Sequence, residues 1–152
     1  MEKFLPGKWI GMLYRSSQMH ICQQLSKEGI GSGQYPFLMF IGRCGGCSQD
    51  EIAKNLCFDK GTTARALKKL EQEGFVRRIV SESDHRRREV FLTEKGKTMR
   101  IRLRKMLENW NDKLFEGIPD EIRARTEQIL ETMAQRAFIR VKDFSHNHDD
   151  QE

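Results

Sequence analysis

A chain of 152 residues suits one domain, or a small core with helical extensions. Its formal charge of +5 and pI of about 9.1 favour a polyanionic partner. The 38% hydrophobic content can fill a core, and a helical chain of this size also buries surface by dimerising. No stretch nears the roughly 20 apolar residues of a membrane span. The N-terminus lacks an apolar run behind a basic start, so a cytoplasmic protein with mostly reduced cysteines is expected.

Residues 4–28 read as a helix, with Trp9, Leu13, Ser17, Ile21 and Leu25 at spacing four. Gly29, Gly31 and Gly33 mark a loop. Pro36 suits the first turn of a second helix, whose apolar run FLMFI (37–41) is expected to be buried. Gly42, Gly45 and Gly46 close it. Ser48 and Glu51 have the S-x-x-E spacing of a capping box, and Ile52, Ala53 and Leu56 give that third helix its inward stripe. Asp59 is an N-cap for a fourth helix over 60–73, which Gly74 ends. Residues 75–80 and 89–93 alternate as two strands around a hairpin tip, SESDHRRR. A long helix follows Glu94 with the stripe Met99, Leu103, Met106, Leu107, Trp110 and Leu114. Pro119 opens a last helix carrying Ile122, Ile129, Met133, Ala137 and Val141, and the polar tail SHNHDDQE is expected to fray.

The fourth helix has two unlike faces. Thr63, Ala66, Leu67 and Leu70 share one; Gly61, Ala64, Arg65, Lys68 and Gln72 share the other, with Thr62 and Lys69 between. The outward face is small near its N-terminus and basic further on. Such a helix end can approach base edges and phosphates closely. Residues 76–105 hold 11 Lys/Arg against four Asp/Glu. That concentration is what an electrostatic footprint on phosphates requires. Arginines at a hairpin tip can enter a narrow A·T-rich minor groove, where the potential is most negative. Arg65 is the best base-edge candidate, because arginine pairs bidentately with guanine. Lys68 and Lys69 are better phosphate contacts, though pairing of Lys69 with Glu73 is the plainer use of that residue.

The segments SQDEIAKNL, DKGTTARALKKLEQEGFVRR and SDHRRREVFLTEKGK, in this order, resemble the MarR (multiple antibiotic resistance regulator) family of transcription factors. The resemblance is dense over 48–97 and looser over the flanking helices. It implies a mainly α fold with a small β-wing, in a single domain over 1–152. A winged helix-turn-helix DNA-binding lobe would occupy 35–97, and a helical dimerisation region 4–28 and 94–142. Carried over by position, Gly61, Thr62, Ala64, Arg65, Lys68 and Lys69 fall on the recognition helix. Arg86 and Arg87 fall on the wing, with Asp84 orienting Arg86. Ala64 stands where Ser is frequent, and Ser81 where Asp is frequent. The implied protein is a non-enzymatic regulator, most often a repressor. It would bind a pseudo-palindromic operator in double-stranded DNA as a homodimer, need no cofactor, and be released by a small-molecule effector such as an aromatic acid. Met12, Leu13, Arg15, His20 and Met39 are candidates for that effector's pocket, although His20, Trp9, Leu13 and Met39 also suit core or interface positions.

Cys44-Gly-Gly-Cys47 offers a second reading, a thiol-redox or metal-sensing regulator on the same scaffold. A thiol-disulfide enzyme is a remote third. A C-x-x-C redox motif normally follows a strand within a βαβ unit, and this one follows a helix, so a structural turn is the simpler account. Cys22 and Cys57, on helical faces, read as small buried residues, and no standard zinc spacing is present. The peroxide-sensing branch of the family carries a reactive cysteine near the position that Ile10 occupies here.

Overall fold

The computed structural model describes residues 5–80 and 88–149, with side chains to residue 140. The chain divides into two compact units, residues 1–110 and 111–152. Among the described residues, six helices and three short strands run in the order α1 (Gly7–Leu25), α2 (Tyr35–Cys44), β1 (Cys47–Ser48), α3 (Gln49–Leu56), α4 (Lys60–Gln72), β2 (Val76–Val80), β3 (Arg88–Leu92), α5 (Glu94–Leu114) and α6 (Asp120–Asp149). The expected fold class, mainly helical with a small β-wing, is what the chain adopts. No helix among the described residues is long and apolar enough to cross a membrane.

Local chemistry sets the ends of the central helices. Ser48 and Glu51 form the full capping box: Glu51 N–H donates to Ser48 Oγ at 3.2 Å, and Ser48 N–H donates to Glu51 Oε2 at 2.7 Å. Asp59 Oδ1 accepts the Thr62 N–H at 2.7 Å and opens α4. At the other end Phe75 N–H donates to Leu70 O at 2.8 Å while Gly74 sits at φ 74°, the left-handed stop that glycine reaches without a Cβ penalty.

The first unit is organised around one buried cluster. Ile21 and Leu25 of α1, Phe37, Leu38 and Ile41 of α2, Ile52 of α3, Leu67 and Leu70 of α4, Phe75, Val90, and Met99 and Leu103 of α5 meet in it. Thr63, Ala66, Leu67 and Leu70 are all buried, as the helical pattern of α4 requires. Even the Thr63 hydroxyl is satisfied there, donating to Asp59 O at 2.9 Å. The strands form one antiparallel sheet in the order β1-β3-β2. Val76 lies opposite Leu92 and Val80 opposite Arg88 on one side of β3, and Cys47 opposite Val90 on the other.

Several expectations change. Strand β1 was not anticipated, because two residues carry no alternation that a periodicity can register. Thr93 is not a strand residue: its hydroxyl accepts the Gly96 N–H at 3.1 Å and so begins α5. Helix α1 starts at Gly7 and ends at Leu25, inside the expected 4–28. Helix α6 runs to Asp149, through most of the tail expected to fray. Cys22 and Cys57 are exposed rather than buried. Cys22 lies beside Ile21 but off the buried stripe. Cys57 occupies the left-handed residue that ends α3, at φ 60°. Cys44 and Cys47, expected as reduced thiols, are joined by a disulfide.

In the second unit α5 ends and the chain turns at Gly117 (φ 77°) into α6. Arg123 of α6 donates to Asp112 Oδ1 at 2.8 Å and lies over the Phe115 ring. The face of α6 bearing Ile122 and Ile129 stays half exposed in the single chain.

Candidate nucleic-acid interface

Helix α3, the tight link through Cys57 and Phe58, and α4 build the helix-turn-helix. Phe58 stacks on the buried Phe37 ring (centroids 5.0 Å apart), which fastens the link to α2. Lys60 and Asp50 pair at 3.2 Å between the first turns of the two helices. Both groups are highly exposed, so the pair guides orientation more than it stabilises.

On the outer face of α4, Gly61, Arg65, Lys68 and Lys69 are exposed, while Thr62 and Ala64 are half-buried. Arg65 Nη2 donates to Thr62 Oγ1 at 2.9 Å, so the guanidinium lies back along the helix toward its N-terminus. Gly61 leaves the room for this: a Cβ there would meet Asp59 Oδ1 at 3.2 Å and Arg65 Nη1 at 3.5 Å. The Thr62 side chain, then its backbone N–H, and more weakly the Arg65 charge hold the Asp59 carboxyl below the ordinary carboxylate range. Asp59, Thr62 and Arg65 thus form one hydrogen-bonded row along the helix start. Lys69 makes its expected i,i+4 pair with Glu73 at 3.6 Å, and so is partly engaged within the helix.

Asp84, Arg86 and Arg87 lie outside the described residues. The root of the wing is described. Arg88 opens β3 and is exposed, and Arg77 points outward from β2. Arg78 is half-buried, its Nε 3.5 Å from Glu71 Oε2 of α4. A cleft of about 610 Å³ separates the strands from the start of α3, with Asp50 and Glu51 on one side and Arg78 and Arg88 on the other. Sequence reasoning placed Arg88 in the hairpin tip, whereas it is the first residue of β3, and singled out neither Arg77 nor Arg78. The strand register, which places Val80 opposite Arg88, is the signal that continues the basic surface down the wing.

In the single chain the residues suggested for an effector have different surroundings. Met12, Leu13 and Arg15 lie on an exposed face of α1, whereas Met39 packs against the core. His20 stacks on Trp110, with ring centroids 4.4 Å apart, and Trp110 Nε1 donates to Ser17 Oγ at 2.9 Å. That arrangement ties α1 to α5 and satisfies the indole. A cavity of about 120 Å³ does lie between these two helices, lined by Leu25, Met99, Leu103 and Met106 and bordered by a two-pronged Arg102–Glu28 pair at 2.6 and 3.0 Å. None of the five suggested residues lines it. No group of His, Cys, Asp and Glu suited to a metal ion occurs among the described residues.

Comparison with known proteins agrees with this architecture. The model of the MarR family matches residues 30–88. The HTH-type transcriptional regulator BilQ of Clostridium symbiosum is 32% identical over 122 residues, covering 80% of this chain and 85% of its own. A MarR transcriptional regulator from Methanosarcina mazei superposes with a TM-score of 0.79 at 43% identity, covering 86% of this chain and 94% of that one. The MepR–DNA complex of S. aureus shares the fold, with a TM-score of 0.77 at 21% identity over 89% of this chain and 99% of that one.

Proposed function

The chain belongs to the MarR family of transcriptional regulators, and on that premise we propose that it binds a pseudo-palindromic operator as a homodimer, acts as a repressor, and is released by a small-molecule effector. The observation that carries the DNA reading is the start of α4. Its exposed face is stripped of bulk at Gly61 and Ala64, and beside them an arginine is set along the helix by a threonine hydroxyl. Helix starts of this kind enter the major groove, where arginine reads guanine edges. Gly61, Thr62, Ala64 and Arg65 would face base edges, and Lys68 and Lys69 phosphates. Arg86 and Arg87, oriented by Asp84, would occupy the flanking minor groove.

Dimerisation is supported by large apolar side chains exposed in the single chain. Trp9 is 53% exposed and Leu13 48% on α1; on α6 Ile122 is 50% and Ile129 51%. Large apolar side chains exposed on one helix suit a surface covered by a partner. A two-fold dimer would place its half-sites about one helical turn apart. Residues 35–97 would then be the DNA lobe, and 4–28 with 94–142 the dimerisation region. The protein would work in the cytoplasm, as a regulator rather than an enzyme. On this reading no cofactor would be required, and an aromatic acid is the effector class to screen first.

The experiment is binding of the purified chain to DNA just upstream of its own gene, against shuffled DNA of equal composition, across a salt series. Preference for the native fragment at near-physiological salt is the expected result. Equal, weak binding to both fragments with a steep salt slope would mean phosphate attraction alone.

A further inference from the structure

The turn between α2 and β1 carries a covalent bond that DNA reading does not use. Cys44 is the last residue of α2 and Cys47 the first of β1; their Cα atoms are 6.1 Å apart and their sulfurs are bonded. We propose that this pair is a reversible thiol–disulfide switch that fixes the root of the wing, with the disulfide as the tighter DNA-binding form. The inference rests on the DNA-binding reading above.

Three observations place the bond where it matters. First, β1 is only two residues long, yet it is the edge of the sheet that holds the wing: Cys47 pairs with Val90 and Ser48 with Glu89 of β3. A strand pair this short is marginal without outside support. Second, Ser48 is also the N-cap of α3, so the residue next to Cys47 both pairs with the wing and starts the helix-turn-helix. Third, Gly45 and Gly46 link the cysteines at φ 68° and 125°, and a Cβ on Gly46 would fall into the Phe91 ring of β3. Once the cross-link is cut, a two-glycine linker gains more freedom than any other pair of residues. The loop that held β1 against β3 would then open, and the wing would lose its fixed angle to α4.

The two sulfurs are not equivalent. Cys44 is exposed, whereas Cys47 is 4% exposed and belongs to the core cluster. A dithiol reductant therefore attacks Cys44 Sγ. The S–S bond breaks, Cys47 leaves as a thiolate and takes up a proton, and a mixed disulfide remains on Cys44. The reductant's second thiol then displaces Cys44, which is protonated in turn, and the reductant departs as its own disulfide. Two electrons have passed to the protein, and the reductant has supplied the two protons. A low-molecular-weight disulfide runs the sequence backwards. Where thiols are kept reduced, disulfides that do form are mainly catalytic or sensory, which suits a regulator.

The test uses the full chain in two forms, defined by thiol titration: two free thiols, Cys22 and Cys57, when oxidised, and four when reduced. Each is titrated with the DNA upstream of its own gene. The oxidised form is expected to bind more tightly, by at most roughly twentyfold, the ceiling set by constraining a four-residue loop. The double variant Cys44→Ser/Cys47→Ser should bind at the reduced level with or without reductant, and Cys22→Ser/Cys57→Ser should keep the response. Equal affinity of the two verified forms, or a response that survives in Cys44→Ser/Cys47→Ser, overturns the switch. If neither form prefers native over shuffled DNA, the operator reading fails instead. Hydrogen exchange at the amides of β1 and β3 then decides: faster exchange on reduction upholds the switch, and unchanged exchange overturns it.

Discussion

Arg65 donates to the hydroxyl of Thr62 at 2.9 Å, one turn earlier on the same helix. The bond sets the direction of the residue best suited to read a base before any DNA arrives. An arginine held in this way gives up less rotamer freedom on binding than a free one. Arg65→Ala should therefore weaken operator binding by about 1–3 kcal/mol and relax preference at one base position. Thr62→Val removes the restraint but not the charge, and should weaken binding less while leaving the preference at the base read by Arg65 in place. Competition assays against single-base operator variants separate the two effects.

The Asp59 cap gives a pH dependence whose sign is fixed. Its carboxyl is held below the ordinary value of 3.8, first by the Thr62 side chain and then by the Thr62 N–H. A depressed carboxylate pKa contributes stability that is full above the unfolded value and lost as pH falls through the folded one. Helix α4 should hold its start at pH 4 and loosen only in stronger acid. Asp59→Asn keeps a capping oxygen without the titration, so thermal unfolding followed from pH 5 to pH 2 should lose less stability than in the wild type. Asp59→Ala should melt at a lower temperature throughout.

Gly96 makes the sharpest packing prediction. A Cβ there would land on the Phe75 carbonyl oxygen, which is backbone and cannot turn aside. Gly96→Ala should cost roughly 1–3 kcal/mol in denaturant unfolding, the range for overpacking a filled site. At Gly42 the first obstruction is the Arg100 side chain, which can swing away, with Leu92 behind it. Gly42→Ala should cost less than Gly96→Ala in the same assay.

For the wing, Arg86→Ala should lower operator affinity and reduce the salt slope by about one unit, without changing the oligomeric state. Unchanged binding by a correctly folded protein would rule out a contact from that residue.

For assembly, Leu13→Glu places a charge on the exposed apolar face of α1. Sedimentation should show the wild type as a dimer and the variant shifted to monomer, with helix content preserved. A variant that remains dimeric at micromolar concentration would place the interface elsewhere.

The readable parts of the sequence were those where a local rule has only one good solution. Ser48 with Glu51, and Asp59 ahead of a periodic run, fix helix starts through hydrogen bonds made within four residues. Thr63, Ala66, Leu67 and Leu70 fix a buried face through period alone. What escaped depends on partners distant in the chain. Strand β1 exists because Val90 and Glu89 come alongside it, more than 40 residues later in the chain. Cys22 and Cys57 look buried by residue type, but one sits off the apolar stripe and the other in a helix-ending turn. His20 likewise takes as its partner Trp110, some 90 residues away, a pairing that no local pattern announces.

The carbonyls just past the end of α4 are not left to water. Glu73 O accepts from Lys95 Nζ at 2.5 Å, Gly74 O from Thr93 Oγ1 at 2.6 Å, and Phe75 O from Thr93 N–H at 3.0 Å. The end of α4 and the start of α5 are therefore coupled like a wheel to its axle. An input that rotates α5 would act on the end of α4 through these bonds, at the opposite end from Gly61 and Arg65. Release by such a route would lower affinity for every operator variant by the same factor and leave the order of preference among them unchanged.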